Sequence, residues 1–356
     1  MESTDDVILR KDLENIVVNN EDILRKFNDK AIYITGVSGF IGSLLAKTFL
    51  CYNRMKSGNV KIYGLARNKD KIKKIFGDNL NNDKLVFIYE DIVNIKGLPE
   101  DINYVFHCAS VTQSKKFVNE PVETINTAYI GCKNILEFGN SVDIEGIVYL
   151  SSLEVYGYVK DGLMGIKEND FGYIDINNVR SSYSEGKRIC ECLCNSYAKE
   201  YNLPVKIARL TQTFGAGIEY NDSRVFAEFA KCIIEKRDII LHTEGKTVRN
   251  YCYSSDAIVA LLYIALYGEK GEAYNVANKE TLISIKEMAE MLIKEFANGK
   301  TKLIYEIEKL EKFGYNQEIQ INLNTEKLEK LGWKSTIYLK EMYRRLIESM
   351  SKRNKK

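Results

Sequence analysis

The sequence predicts an α/β protein, a doubly wound parallel sheet with a smaller, mainly C-terminal α/β domain, and three observations carry that expectation. Short apolar runs alternate with amphipathic helical stretches from residue 31 onward. A glycine-rich turn, Gly36 to Gly42, joins the first run to the first of those helices. Beyond about residue 211 the alternation loses its regularity, as it does where a chain leaves one sheet to build a second unit.

Residues 6–27, DVILRKDLENIVVNNEDILRKF, place apolar side chains near helical spacing with charges between them. Residues 1–28 are therefore expected as a helical extension packed on the body. Six runs then read as strands: AIYITG, VKIYGLA, KLVFIYE, YVFHCAS, GIVYLSS and VKIARL. Parallel neighbours need a crossover of about a dozen residues or more, which the helical stretches between these runs supply. The first domain is assigned residues 29–212 with a return segment at 246–268, and the second residues 213–245 and 269–352. Within the second, LISIKEMAEMLIKEFANG carries a long helical pattern, so this half is expected to cap the sheet.

At 356 residues and 45% apolar content, the chain can bury a substantial core. Its 51 basic residues nearly balance 49 acidic ones, so no global field draws in nucleic acid or an anionic membrane surface. Any anion must be held locally. The start, MESTDD, is acidic where a signal peptide is basic, and no apolar run approaches the roughly 18 residues of a membrane span. A cytoplasmic protein without nucleic-acid or membrane partners is expected. Eight cysteines without framework spacing suit a reducing compartment. Cys190, Cys192 and Cys194 in CECLC do not read as a metal site, since alternate helical positions diverge by about 200° and no second cluster accompanies them.

The run AIYITGVSGFIGSLLAKTFL is a strand, three glycines at three-residue spacing, and a helix. Gly36 allows a tight turn, Gly39 admits a pyrophosphate to the backbone, and Gly42 lets helix and strand pack closely. The helix N-terminus faces the anion, with Ser38, Phe40 and Ile41 completing the loop around a nicotinamide dinucleotide. The second strand ends in YGLARN, without the acid that commonly accepts from the adenosine ribose hydroxyls. Arg67 beside it suits a ribose 2′-phosphate, which favours NADP over NAD; the alternative is a solvated surface arginine. Asp91, followed by Ile92 in YEDI, is placed at the adenine.

In RSSYSEGKR, Tyr183 and Lys187 stand four residues apart and share one helix face. An ammonium beside a phenol stabilises the phenolate, so Tyr183 can take a hydroxyl proton while hydride leaves for the nicotinamide. Ser152 is placed to hydrogen-bond the same hydroxyl. His107 is assigned to packing near the cofactor.

Together TGVSGFIG, VFHCAS, SSLEVYG and YSEGK resemble the extended short-chain dehydrogenase/reductase family, in its nucleotide-sugar epimerase/dehydratase branch, over roughly residues 29 to 350. The resemblance implies a Rossmann domain, a smaller substrate domain, transient oxidation of a sugar at carbon 4, and Ser152, Tyr183 and Lys187 as catalytic triad. It also implies a homodimer through the tyrosine-bearing helix and its neighbour. Within the branch, NVRSSYSEGKR and NDSRVFAEFA look most like UDP-glucuronate decarboxylases and their dehydratase relatives, which places Arg224 and Arg249 at the diphosphate of a nucleoside-diphosphate sugar.

By the same resemblance, Glu154 stands where 4,6-dehydratases keep the base for the carbon 5 proton, and Leu153 where they keep the acid for the departing carbon 6 hydroxyl. Keeping the carboxylate and dropping the acid weakens ordinary dehydration. Decarboxylation, epimerisation beside a ketone, and keto-sugar reduction remain open. Glu154 reads either as that base or as a carboxylate that only hydrogen-bonds the sugar. Two further functions stand beside carbon 4 oxidation, an NADPH-dependent keto-sugar-nucleotide reductase and a non-catalytic nucleotide sensor.

Overall fold

The chain is described here by a computed structural model, which covers residues 6–160, 162–307 and 318–353. Residues 1–5 of the helical extension, and residues 308–317 of the C-terminal half, lie outside the described residues. All six expected runs form strands: β1 (Ala31–Thr35), β2 (Lys61–Ala66), β3 (Leu85–Tyr89), β4 (Tyr104–His107), β5 (Gly146–Ser152) and β6 (Val205–Leu210). Later strands are β7 (Gln212–Phe214), β8 (Ile239–Leu241), β9 (Val248–Tyr253), β10 (Ala273–Val276), β11 (Asn278–Ser284), β12 (Leu303–Tyr305) and β13 (Gln320–Ile321). Ahead of the sheet stand α1 (Val7–Asn19) and α2 (Glu21–Arg25). Crossovers carry α3 (Phe40–Lys56), α4 (Lys69–Phe76), α5 (Ser114–Asn119), α6 (Pro121–Ser141) and α7 (Ser181–Glu200). The C-terminal half adds α8 (Val225–Glu235), α9 (Ser254–Tyr267), α10 (Ile285–Phe296), α11 (Glu326–Glu329) and α12 (Leu339–Arg353).

The large sheet has seven strands in the order β10-β6-β5-β4-β1-β2-β3. Each adjacent pair is parallel. Every residue of β1, β4 and β6 is buried, as expected for strands covered by helices on both faces. The strand order reverses between β1 and β4, and the crevice at such a reversal is where doubly wound sheets bind ligands.

A four-stranded sheet, β11-β9-β13 with β7 also on β9, forms the second unit with α8, α10 and α12. Phe214, Phe226, Tyr251, Leu292 and Tyr343 lie in its core. Two strands cross the division drawn from the sequence. β9 belongs to the smaller sheet, whereas β10 returns to the edge of the large one. The physical reason is α9, whose AIVALLYIALY is apolar on nearly every face and buries Ile258, Leu261, Leu262 and Ile264 in the large core before the chain re-enters that sheet.

The N-terminal extension packs on the body through Leu9, Leu13, Ile16 and Val17, all buried on α1. Asp6 starts this helix by accepting from the Ile8 and Leu9 amides, each at 3.1 Å. Among the described residues no helix is long and apolar enough to cross a membrane.

Candidate active site

The glycine loop occupies the strand-order reversal. Gly36 has φ +64°, and a Cβ there would lie 2.8 Å from the backbone of Ala109, just beyond β4. A Cβ on Gly42 would lie 2.5 Å from the Gly36 carbonyl oxygen, so the start of α3 can pack this closely only without a side chain. Gly39 precedes α3, and among the described residues no side chain caps that helix end, which leaves its first amides and the positive end of its dipole for a pyrophosphate. Ser38, Phe40 and Ile41 are partly exposed around this loop. The cradle therefore fits the dinucleotide expected from its sequence. At the other end Arg67, exposed, donates to Asp91 at 3.2 Å, while the second Asp91 oxygen accepts from the Val93 amide at 3.1 Å. Ile92 is buried, and its side chain fills the space beside Gly131 of α6.

Parallel strands end at one rim, and β5 delivers Ser152 and Glu154 there. Ser152 accepts from the Glu154 amide at 3.2 Å, which turns the chain sharply after the strand. On α7, the Tyr183 ring stacks on Phe117 with centroids 4.3 Å apart and planes 9° apart. Burial raises the Tyr183 phenol to about 12, with the Glu154 charge adding to the rise and a hydrogen bond to Ser152 and the charges of Arg180 and Arg224 opposing it. Lys187 is not bonded to that phenol: its ammonium donates to the Leu150 carbonyl at 2.6 Å and lies 5.9 Å from the Tyr183 ring centroid. Burial holds Lys187 below its ordinary value. The cations that act most on the tyrosine are thus arginines, which the spacing of Tyr183 and Lys187 does not reveal.

Glu154 is the centre of the charge arrangement. Arg180 grips it with both ends of its fork, at 3.0 and 3.1 Å, and Ser184 donates at 3.3 Å. Their side chains are only 13% and 14% exposed, Arg180 and Glu154 respectively. Burial alone would raise the Glu154 carboxyl, but Arg180, with help from Arg249 and Ser184, holds it below the ordinary carboxylate value. Arg249 on β9 reaches this site electrostatically, and its buried Nε has no hydrogen-bond partner among the described residues; the same holds for Nε of Arg180. Arg224 precedes α8 and donates to Asp222 at 2.6 Å, its guanidinium 4.7 Å above the Phe226 ring. Leu153 takes no part. It is 2% exposed and belongs to an apolar cluster with Val155, Tyr156, Ile166, Ala277, Ile321 and Leu323.

Arg180 and Ser184 were not singled out from the sequence, although both lie within RSSYSEGKR. The signal was Glu154 itself, because a carboxylate predicted at a closed site needs a cation. A second network supports this corner. Arg209 on β6 binds Glu191 of α7 at 2.6 Å and the Tyr156 hydroxyl at 2.9 Å, and Tyr156 donates to Asn275 of β10 at 2.6 Å. It ties α7 to the turn that carries Glu154. His107 bonds Thr35 at 2.7 Å, and burial drives its imidazole down to about 3, so it is neutral and structural. In CECLC, Cys190 and Cys194 are buried and Cys192 is exposed, as their helical divergence requires.

A sequence model of the NAD dependent epimerase/dehydratase family matches residues 32–277. UDP-glucuronic acid decarboxylase 6 of Arabidopsis thaliana is 28% identical over 266 residues, 74% of this chain and 74% of its own. UDP-glucuronic acid decarboxylase 1 of Danio rerio is 26% identical over 268 residues, 74% of this chain and 61% of its own. In structure, an epimerase of Methanothermobacter thermautotrophicus aligns with TM-score 0.79 at 19% identity, covering 95% of this chain and 97% of its own. UDP-glucuronic acid 4-epimerase of Bacillus cereus, in complex with NAD, aligns with TM-score 0.74 at 21% identity over 90% and 99%. The structural neighbours carry the fold, and the sequence matches carry the lineage. With a glycine cradle at the strand reversal, a carboxylate just beyond β5, and tyrosine and lysine on α7, the chain belongs to the NAD dependent epimerase/dehydratase family and is an enzyme.

Proposed function

We propose that this enzyme oxidises carbon 4 of a nucleoside-diphosphate uronic acid, with UDP-glucuronate the first substrate to test, and then releases the carbon 6 carboxylate as carbon dioxide. The observation that carries the reading is the position beside Glu154. Leu153 is buried among apolar side chains, so no acid stands there to protonate a departing hydroxyl, whereas Arg180 and Arg249 offer positive charge. The sequence relatives named UDP-glucuronic acid decarboxylase support it.

When bound, an oxidised nicotinamide would supply the hydride acceptor. Tyr183 takes the proton of the carbon 4 hydroxyl, and Ser152 orients that hydroxyl. The ketone so formed lies β to the carboxylate, so the bond from carbon 5 to carbon 6 can break with its electron pair delocalised into the ketone. Carbon 5 then takes a proton, and Tyr183 returns its own proton as the carbon 4 hydroxyl is restored. Uronate plus one proton becomes pentose plus carbon dioxide, without net redox change. Arg224 and Arg249 hold the diphosphate end of the substrate in this reading.

NAD is the cofactor we assign. Arg67 is paired with Asp91, whose charge would oppose a phosphate brought to Arg67, and the family's own description names NAD. Exposed Val122, Ile125 and Tyr129 of α6 and Ile189 of α7 form an apolar face that suits a homodimer. Eight free cysteines fit a cytoplasmic setting.

The test is incubation of pure protein with UDP-glucuronate, followed by mass and NMR analysis of the nucleotide product. Loss of carbon dioxide with no added cofactor consumed is the expected result. An unchanged mass with inverted carbon 4 identifies an epimerase instead, and stoichiometric consumption of NADPH with a keto sugar identifies a reductase.

A further inference from the structure

We propose that α1 is a strap on the dinucleotide site: its carboxylates Asp12 and Asp6, acting through Tyr253 and Ser349, fix the backbone of residues 216 and 217 against Phe40 and thereby slow the release of a bound dinucleotide. The inference goes beyond the sugar chemistry read above and needs only the glycine cradle as the cofactor's place.

Two hydrogen-bond relays carry it. The Tyr253 hydroxyl accepts from the Ala216 amide at 3.2 Å and donates to Asp12 at 2.5 Å. The Ser349 hydroxyl accepts from the Gly217 amide at 3.1 Å and donates to Asp6. Two consecutive amides of the segment that leaves β7 are thus held by hydroxyls from β9 and α12, and each hydroxyl is oriented by a carboxylate of α1. A hydroxyl has one proton, and once a carboxylate takes it the oxygen lone pairs turn toward the amide. All four side chains are buried, so water competes little for these bonds.

The segment so held lies against the cradle. A Cβ on Gly217, whose φ is +93°, would lie 3.3 Å from the Leu9 side chain of α1 and 3.8 Å from the Phe40 ring. Gly217 therefore touches both the strap and the first residue of α3, and Phe40 packs against the cores of both units. Farther along, Glu14 of α1 pairs with Arg54 of α3 at 3.2 Å. The first amides of α3 face the pyrophosphate, so a segment that stiffens Phe40 stiffens the anion site. A site ordered in advance gives up less freedom when it binds, and the gain is read mostly in the dissociation rate.

Tyr253→Phe and Ser349→Ala, singly and together, cut the relays and leave the sequence of α1 untouched. In the protein without ligand, hydrogen exchange read by mass spectrometry should quicken over residues 212–224 in the double variant. With NADH as probe, displaced by excess NAD and followed by nicotinamide fluorescence, dissociation should quicken about tenfold, the worth of two lost hydrogen bonds. Asp12→Asn keeps an acceptor for Tyr253 and should stay within about twofold of the wild type, whereas Asp12→Leu should match Tyr253→Phe. Ile16→Ala, a core change on α1 outside the relays, should lower the melting temperature without altering NADH release. A double variant that melts earlier yet releases NADH at the wild-type rate would overturn the proposal, as would Ile16→Ala quickening release equally. Should the double variant not fold, the single variants and the Asp12 pair decide the same question. No step uses a sugar nucleotide, so the result stands apart from the decarboxylase reading.

Discussion

Tyr253 on β9 donates a hydrogen bond to Asp12 on α1 at 2.5 Å, across 241 residues of sequence. Arg345 of α12 holds the other carboxylate oxygen at 2.7 Å, and Ser349 bonds Asp6 at the start of α1. The N-terminal helix thus joins a strand and a helix of the smaller unit while its apolar face lies in the core of the larger one. Burial raises the Asp12 carboxyl to about 6 from 3.8, against the opposing bonds of Tyr253 and Arg345.

That pair predicts a pH dependence. Between pH 3.8 and about 6 the folded protein keeps a proton that the unfolded chain releases, so this group's contribution is full below 3.8 and lost as pH rises through about 6. The size is on the order of 3 kcal/mol at about 1.4 kcal/mol per pKa unit. Asp12→Asn keeps the neutral form at all pH values. Thermal unfolding near about pH 4 and about pH 7 should show the wild type losing stability relative to the variant as pH rises. A difference independent of pH would remove this role.

Tyr183→Phe should keep the fold and nearly unchanged NAD affinity, because only the hydroxyl is lost. Reduction of bound cofactor on adding substrate should fall by about 100-fold or more, the usual worth of acid–base catalysis. Stopped-flow absorbance of the reduced nicotinamide reads this directly, and a residual rate above about a tenth of the wild type counts against Tyr183 as proton acceptor.

Leu153→Asp should not create a dehydratase. The side chain is 2% exposed within an apolar cluster, so the carboxyl would be buried without a partner and stability should drop by about 3 kcal/mol or more. Denaturant unfolding gives the drop. Water elimination by a fully folded variant would show that this position can face the sugar.

Gly36→Ala should weaken cofactor binding by about tenfold or more in a chain that still folds. The methyl would meet the Ala109 backbone at 2.8 Å in a left-handed conformation. Titration calorimetry checks it, and wild-type affinity would place the dinucleotide elsewhere.

Arg67→Ala should leave NAD affinity within about threefold, the range expected for loss of an exposed ion pair. NADP should remain the weaker ligand, since Asp91 stays. A loss confined to NADP would return Arg67 to the 2′-phosphate.

Local sequence determined the sheet and the cradle. The strand runs are mostly apolar, and β1, β4 and β6 are buried throughout between helical layers, while the glycines are required by a turn and a close approach that depend on only a few neighbouring residues. Ser152 at the end of β5, and Tyr183 and Lys187 four residues apart on α7, follow from local sequence, whereas the assignment of Glu154 came from the family resemblance. Tertiary structure decided what those residues contact. Arg180, 26 residues after Glu154, becomes its partner only when α7 docks beside the end of β5. Leu153 faces a core made by residues as far along as Leu323, so no pattern around it tells an apolar interior from a substrate wall. β10 joins the large sheet because α9 has carried the chain back to it. Burial, charge pairing and strand order depend on contacts between distant segments, and those exist only once the chain has folded.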